Sequence, residues 1–133
     1  MPLPTEFVID GPPVSRQGSS RSRERWTRDV KNTASRQWGP NPPCAEAVRV
    51  EMTNFFHGSA PDLDNMAKPI LDALKDVIYD DDSQVSDLVC RKRDRNGDVP
   101  IPSPSQILLE RLGQPGPFVH VFVDYALNGG MAN

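Results

Sequence analysis

A dense cluster of acidic residues in the middle of the chain places the strongest constraint on how it can fold. The stretch from Asp62 to Lys68 reads Asp-Leu-Asp-Asn-Met-Ala-Lys, and the three consecutive carboxylates Asp80, Asp81 and Asp82 follow shortly after it. Like charges a few ångströms apart raise one another's pKa values and destabilise the folded state. The clustering therefore indicates that a positive charge lies among these acids, and a divalent cation is the simplest candidate.

The composition is typical of a small domain with irregular stretches. The chain has 133 residues, of which 37% are hydrophobic, and it contains 14 prolines and 9 glycines. This length predicts one domain, residues 1–126, followed by a disordered tail over residues 127–133. Cys44 and Cys90 lack the spacing of a zinc site and predict free thiols in a reducing cytoplasm. No secretory segment or long apolar run is present, so we expect a cytoplasmic protein without a membrane partner.

The charges are segregated along the chain. The net charge is −3, yet residues 16–36 hold seven basic side chains against two acids, whereas residues 62–98 hold ten acids against six bases. One region is therefore suited to phosphates and the other to a metal ion. The basic side chains available for phosphate contact are Arg16, Arg21, Arg23, Arg25 and Arg28, with Arg91, Lys92 and Arg93 further along the chain. A loop followed by a solvated helix face is the alternative interpretation of residues 16–36.

Apolar periodicity predicts four strands and two main helices. Alternation predicts strands over residues 5–11, 47–56, 83–93 and 117–127. The four-residue spacing of Trp26, Val30, Ala34 and Trp38 predicts a basic amphipathic helix over residues 23–38. A shorter helix is predicted around residues 106–112, inside a proline-rich connection.

The acidic motif opens the second main helix. Its predicted buried stripe is Met66, Ile70, Leu71, Leu74 and Ile78. Pro69 is unfavourable inside a helix but favourable at its first position. We therefore expect a bent entry over residues 61–67 and a regular helix from about Lys68.

The acids and the lysine suit metal-dependent hydrolysis of a phosphodiester. Mg²⁺ held by carboxylates activates water, neutralises charge on the phosphate oxygens and assists the leaving alkoxide. Asp62 and Asp64 lie two positions apart and can face one ion, and Lys68 would stabilise negative charge in the transition state. Asn65 would orient a ligand or the helix entry.

A purely structural interpretation of the same residues is also open. Asp64 would then be a helix N-cap paired with Lys68, contributing about 1 kcal/mol and about 0.5 kcal/mol respectively. The three consecutive acids would form a solvated turn. Other chemistries find little support, because the chain has no Gly-rich phosphate loop, nucleophile elbow or zinc-ligand spacing.

The compound pattern resembles the RusA family of Holliday-junction resolvases. The resemblance is carried by Pro61-Asp-Leu-Asp-Asn, by Lys68 and by Tyr79-Asp-Asp-Asp-Ser-Gln-Val. It implies metal-binding and catalytic acids at Asp62, Asp64 and Asp82, and a catalytic lysine at Lys68. Asp81 and Asn65 would have supporting roles.

The resemblance also implies a fold and an activity. The fold would be α+β (mixed α/β), a small single domain with a four-stranded mixed sheet packed against two main helices. The protein would be a homodimer that binds branched DNA and resolves four-way junctions by paired symmetric nicks in recombination or repair. Mg²⁺ would be the cofactor, with Mn²⁺ as a substitute, and no nucleotide cofactor is expected.

Two other functions remain open at this point. One is a non-catalytic RusA-like module that binds DNA or a protein, and the other is a metal nuclease for different branched nucleic acids. His57 and His120 are expected to be structural histidines. Trp26 and Trp38 are expected to be core or dimer anchors.

Overall fold

Helical segments and strands alternate along most of the chain. The computed structural model describes residues 2–13, 19–58, 63–97, 101 and 103–126, with residues 63–65 described by their backbone only. The elements in order are β1 (Thr5–Asp10), α1 (Ser20–Trp38), β2 (Val48–Phe56), α2 (Leu63–Leu74), a 3₁₀ turn (Asp82–Gln84), β3 (Val85–Asp94), α3 (Gln106–Leu112) and β4 (Phe118–Tyr125). The predicted tail, residues 127–133, lies outside the described residues.

The described strands form one mixed sheet in the order β1-β4-β2-β3. β4 pairs antiparallel with both β1 and β2, whereas β2 and β3 are parallel. A parallel pair needs a crossover connection, and α2 supplies it. The acidic motif therefore lies on the crossover between the two parallel strands, and the predicted α+β fold is confirmed.

One face of the sheet carries the main core. The predicted stripe of α1 is buried, with Val30 and Ala34 completely inaccessible, and it packs with Met66 and Ile70 of α2. Alternate residues of the central strands complete this core: Val48, Val50, Met52, Val119, Val121 and Val123. Both main helices thus cover the same side of the sheet, and the two tryptophans belong to this core.

Helix α1 begins earlier than the sequence predicted. Ser19 is the N-cap, and its hydroxyl accepts a hydrogen bond from the backbone N–H of Ser22 at 3.0 Å. This cap satisfies one of the free donors at the helix start, so the helix extends to Ser20 rather than beginning near Arg23.

The position of Pro69 in helix α2 differs from the prediction that a regular helix starts near Lys68. The helix begins at Leu63, so the proline lies inside it, and the expected bent entry over residues 61–67 is wrong for the described residues from Leu63 onward. A proline removes one backbone donor and crowds the preceding turn. Met66 and Ile70, both buried, anchor the turns on either side of it, and this packing overrides the local preference.

The end of α2 also differs from the prediction. The helix stops at Leu74, and Asp76 adopts a φ of 68°, a left-handed conformation that does not continue a helix. Ile78 is fully buried as predicted, but it lies in the turn beyond the helix.

The second face of the sheet is covered at one end by α3. Leu108 packs there with Phe55 and Phe118, whose rings stack with centroids 4.6 Å apart.

Among the described residues, no helix is long and apolar enough to cross a lipid bilayer.

A buried arginine closes the connection between α3 and β4. Arg111 donates to the Asp10 carboxylate at 2.8 Å and to the carbonyl oxygens of Gln114, Pro115 and Pro117 at 3.2 to 3.3 Å. Its guanidinium also lies 4.5 Å from the Phe118 ring centroid. This residue therefore fixes much of the proline-rich connection against β1 and β4.

Candidate active site

The acidic turn, defined here as residues 80–84, has a fixed backbone conformation. Asp81 is the N-cap of the 3₁₀ turn, and its carboxylate accepts a hydrogen bond from the backbone N–H of Ser83 at 2.9 Å. Hydrogen bonds from the Ser83 side chain and backbone hold the pKa of Asp81 below its usual value. Asp81 thus has a capping contact that accounts for a carboxylate at this position.

The side chain of Gln84 connects the acidic turn to the segment before β2 by hydrogen bonds. Its side-chain oxygen accepts hydrogen bonds from the backbone N–H groups of Asp80 and Asp81 at 2.8 and 2.9 Å. Its side-chain nitrogen donates to the carbonyl oxygens of Cys44 and Glu46 at 2.8 and 2.9 Å. The glutamine therefore links the turn to the segment that precedes β2, a role that the sequence analysis did not assign.

Replacing Gln84 by alanine is expected to lower the free energy of unfolding by about 2 kcal/mol, because four hydrogen bonds with backbone partners are lost. Urea unfolding followed by circular dichroism measures this difference. The matched control is Gln106→Ala, since Gln106 is exposed and bonds to Glu110 on its own helix. The control should change stability by less than about 0.5 kcal/mol. Equal effects of the two substitutions would contradict the anchoring role.

Asp82 lies beside the buried Tyr79. The Tyr79 hydroxyl donates to the carbonyl oxygen of Leu71 in α2 at 3.0 Å. Burial raises the pKa of Tyr79, and the neighbouring carboxylates of Asp82 and Asp72 raise it further. The Asp82 side chain is exposed, so the fold brings one accessible carboxylate next to the second half of α2.

Lys68 occupies the exposed side of α2. Its ammonium group is 3.6 Å from the Asp72 carboxylate, one helical turn further on, and the lysine side chain is 82% exposed. An exposed pair of this kind contributes little to stability. The lysine is therefore able to exchange Asp72 for another anion at low cost.

The structure places Asp64 by its backbone only. Asp64 has helical backbone in the first turn of α2, so the interpretation of this residue as an N-cap is wrong. Helical rise separates positions 64 and 72 by about 12 Å along the axis. Asn65 is likewise described by its backbone, and Asp62 lies outside the described residues. Among the side chains that are described, no group of three or more His, Cys, Asp or Glu is arranged to hold a metal ion.

A basic groove lies between α1 and α2. It has a volume of about 800 Å³, and its basic side chains are Arg23, Arg28, Lys31 and Lys68. The acids along it are Glu24 and Asp72. Two of the predicted DNA-binding arginines of α1, Arg23 and Arg28, therefore line the same groove as Lys68. Arg21 and Arg25 are exposed on α1 but do not line it, and Arg16 lies outside the described residues.

The three basic residues of β3 do not lie on one face of the sheet. Side chains alternate across a strand, so Lys92 projects from the sheet face opposite to that of Arg91 and Arg93. Arg91 contacts the Glu51 carboxylate on β2 at 2.9 Å. The backbone carbonyl of Lys92 accepts a hydrogen bond from Arg93 at 2.9 Å.

The two histidines have defined partners. His57 lies 2.9 Å from the side-chain oxygen of Asn96, just beyond β2. His120 lies 2.7 Å from the Glu6 carboxylate of β1. Both contacts agree with the expectation that these histidines are structural.

One sequence comparison assigns the chain to a family. The model of a family described as endodeoxyribonuclease RusA matches residues 12–101, which is more than half of the chain. The chain belongs to the RusA endodeoxyribonuclease family. This confirms the resemblance drawn from residues 61–85. No curated protein matches the chain closely enough to count as a relative. The RusA match covers α1, β2, α2, the acidic turn and β3, and ends before α3 and β4.

Proposed function

We propose that this RusA-family protein is a Mg²⁺-dependent endonuclease that resolves Holliday junctions by paired symmetric nicks in DNA recombination or repair. The basic groove between α1 and α2 carries the proposal, because it brings Arg23, Arg28 and Lys31 to the helix face that holds Lys68. Phosphate contacts of this kind position a DNA backbone without reading its sequence. Recognition would then rest on the shape and deformability of the branched substrate.

The side chains available suit a hard cation. The proposed ligands are Asp62, Asp64 and Asp82, and Mg²⁺ prefers carboxylate oxygens, as does Mn²⁺. Asp82 fits this role because its carboxylate is exposed beside α2, whereas the neighbouring Asp81 carboxylate is occupied as a cap. When bound, the ion would supply an activated water and neutralise charge on the phosphate.

Lys68 is proposed to contact the phosphate that is cleaved. Its weak, exposed pairing with Asp72 leaves the ammonium group available to a phosphate oxygen. A positive charge held there stabilises the negative charge that develops in the transition state. Asp72 would hold the lysine near the groove until the substrate arrives.

The symmetry of the substrate supports a homodimer as the active form. A four-way junction has two-fold symmetry, so two equivalent cuts require two equivalent sites related by a matching axis. A dimer in which each protomer presents its groove to one arm of the junction meets this requirement.

Replacing Arg28 by glutamine is expected to weaken junction binding by roughly threefold to tenfold at low salt and to reduce the slope of log K against log[salt] by about 1. The cause is the loss of one phosphate contact in the groove. Electrophoretic mobility-shift titrations at several salt concentrations, without divalent metal, measure both quantities.

The matched control for this experiment is Arg36→Gln. Arg36 is an exposed arginine of the same helix that does not line the groove. Its substitution should leave the salt slope unchanged. If Arg28→Gln and Arg36→Gln weaken binding equally, the groove is not the DNA-binding surface.

A further inference from the structure

A second polar pocket lies on the sheet face opposite to α1 and α2. Its volume is about 490 Å³, and the segment that leads into α3 forms one of its walls. Its charged or histidine side chains come from all four strands: Glu6, His120, Arg49, Glu51, Arg91 and Arg93. The sheet separates this pocket from the basic groove, so the two surfaces are distinct.

The carboxylates of the pocket are already engaged. Glu6 accepts a hydrogen bond from the Ser105 hydroxyl at 2.7 Å and lies 2.7 Å from His120. Glu51 contacts two guanidinium groups, those of Arg49 and Arg91. One carboxylate therefore balances two arginines, and Arg93 adds a third guanidinium to the lining.

One of the residues that line this pocket has a donor without an acceptor. The Nε atom of Arg49 is buried and makes no hydrogen bond within the described part of the chain. Buried donors are normally paired, and those that are not point to a missing partner such as an ion or a ligand oxygen. Apart from this atom, the lining holds three guanidinium groups against two carboxylates, and this surplus of positive charge suits the pocket to an anion.

Part of the remaining wall is apolar. Phe122, Ile101 and Leu108 line the pocket. The centroid of the Phe122 ring lies 5.4 Å from the guanidinium carbon of Arg49. Pockets of this size bind compact organic ligands, with apolar walls around a few convergent polar groups. The ligand should therefore combine an anionic group with a flat or apolar part.

We propose that this pocket binds a nucleoside phosphate. Its phosphate would contact Arg49 and Arg91, since guanidinium groups bind phosphate oxygens in a bidentate manner. Its base would pack against Phe122 and the neighbouring apolar side chains. The bound group is either a free mononucleotide or the terminal nucleotide of an unpaired DNA strand. The inference does not depend on the proposed nuclease activity.

Calorimetric titration of the full-length protein with thymidine 5′-monophosphate, without divalent metal, tests the proposal. Saturable binding is expected, with thymidine and inorganic phosphate each weaker by at least about tenfold because each lacks one half of the recognised group. Saturable binding of neither the monophosphate nor a 5′-phosphorylated dinucleotide would overturn the proposal. Tighter binding of the dinucleotide identifies a DNA strand as the source, and tighter binding of the monophosphate identifies a free nucleotide.

Substitutions on β3 provide a matched comparison. Arg91→Gln is expected to weaken nucleotide binding by about tenfold, because one charged donor is lost. Lys92→Gln changes the adjacent residue on the opposite sheet face and should alter binding by less than about twofold. Arg93 is exposed, so Arg93→Gln provides a second pocket variant that preserves the fold, with an expected loss of about threefold to tenfold. Equal losses for the Arg91, Arg93 and Lys92 variants, or none at all, would place the ligand elsewhere.

Discussion

Replacing Asp82 by asparagine is expected to lower the rate of junction cleavage by about three orders of magnitude while leaving junction binding nearly unchanged. Asparagine has the size of aspartate but no negative charge, so it is a much weaker ligand for a hard cation. Binding should persist because the basic groove between α1 and α2 is not altered. Single-turnover cleavage of a labelled four-way junction, compared with mobility-shift binding, measures the two effects separately.

The control for this substitution lies in the same acidic turn. Asp80 is exposed, and its contact with Gln84 is made by its backbone N–H, so Asp80→Asn preserves that contact. Its cleavage rate should stay within about threefold of that of the wild type. A wild-type rate for Asp82→Asn would remove Asp82 from the catalytic site. A comparable loss for Asp80→Asn would show that the total negative charge of the turn, rather than Asp82, is what matters.

Replacing Arg111 by alanine is expected to lower the free energy of unfolding by about 3 to 5 kcal/mol. The substitution removes one carboxylate contact, three hydrogen bonds to carbonyl oxygens and the packing on Phe118. Asp10 is largely exposed, so its ion pair contributes little, and the three hydrogen bonds to carbonyl oxygens together with the packing on Phe118 account for most of the loss. Urea unfolding followed by tryptophan fluorescence measures the difference.

Two further variants separate the roles of Arg111. Glu110→Ala, at the exposed neighbouring position of α3, should change stability by less than about 0.5 kcal/mol. Arg111→Lys keeps the charge but not the planar fork, and should recover less than half of the lost stability. A loss below about 1 kcal/mol for Arg111→Ala would mean that the connection between α3 and β4 is held by other contacts.

Local periodicity predicted the elements that pack on the main core. The stripe of α1 is a local pattern, and the structure buries the same four residues that it selected. The alternation in β2 and β4 is also local, and both segments are strands in the structure. The prediction of a helix start near Pro69 was wrong, because it used only the local preference of proline. The burial of Met66 and Ile70 on either side of Pro69 outweighs that preference. The start of α1 was missed because capping by Ser19 was not considered.

Contacts between distant parts of the chain were beyond the sequence analysis. Gln84 is part of the motif that identified the family, but its bonds to the carbonyl oxygens of Cys44 and Glu46 depend on how the segment before β2 folds. Arg111 bonds to Asp10, at the other end of the chain. Arg91, Lys92 and Arg93 were all named as candidate contacts, although the alternation of a strand places Lys92 on the sheet face opposite to the other two.

The candidate site was predicted by motif and spacing rather than by periodicity. The structure brings Asp82 to Tyr79 and α2, and it places Lys68 in a basic groove. The joint action of Asp62, Asp64 and Asp82 on one metal ion stays a prediction, because Asp62 and the side chain of Asp64 lie outside the described residues.

The most direct test of the proposed function is cleavage of a synthetic four-way junction labelled on all four strands. Purified protein is incubated with the junction in the presence of Mg²⁺, of Mn²⁺ or of a chelator, beside a linear duplex of the same sequence. We predict paired nicks at symmetrically related positions with either metal, no cleavage with the chelator and an intact linear duplex. An intact junction in the presence of folded protein and metal would contradict the proposal, as would equal cleavage of the linear duplex.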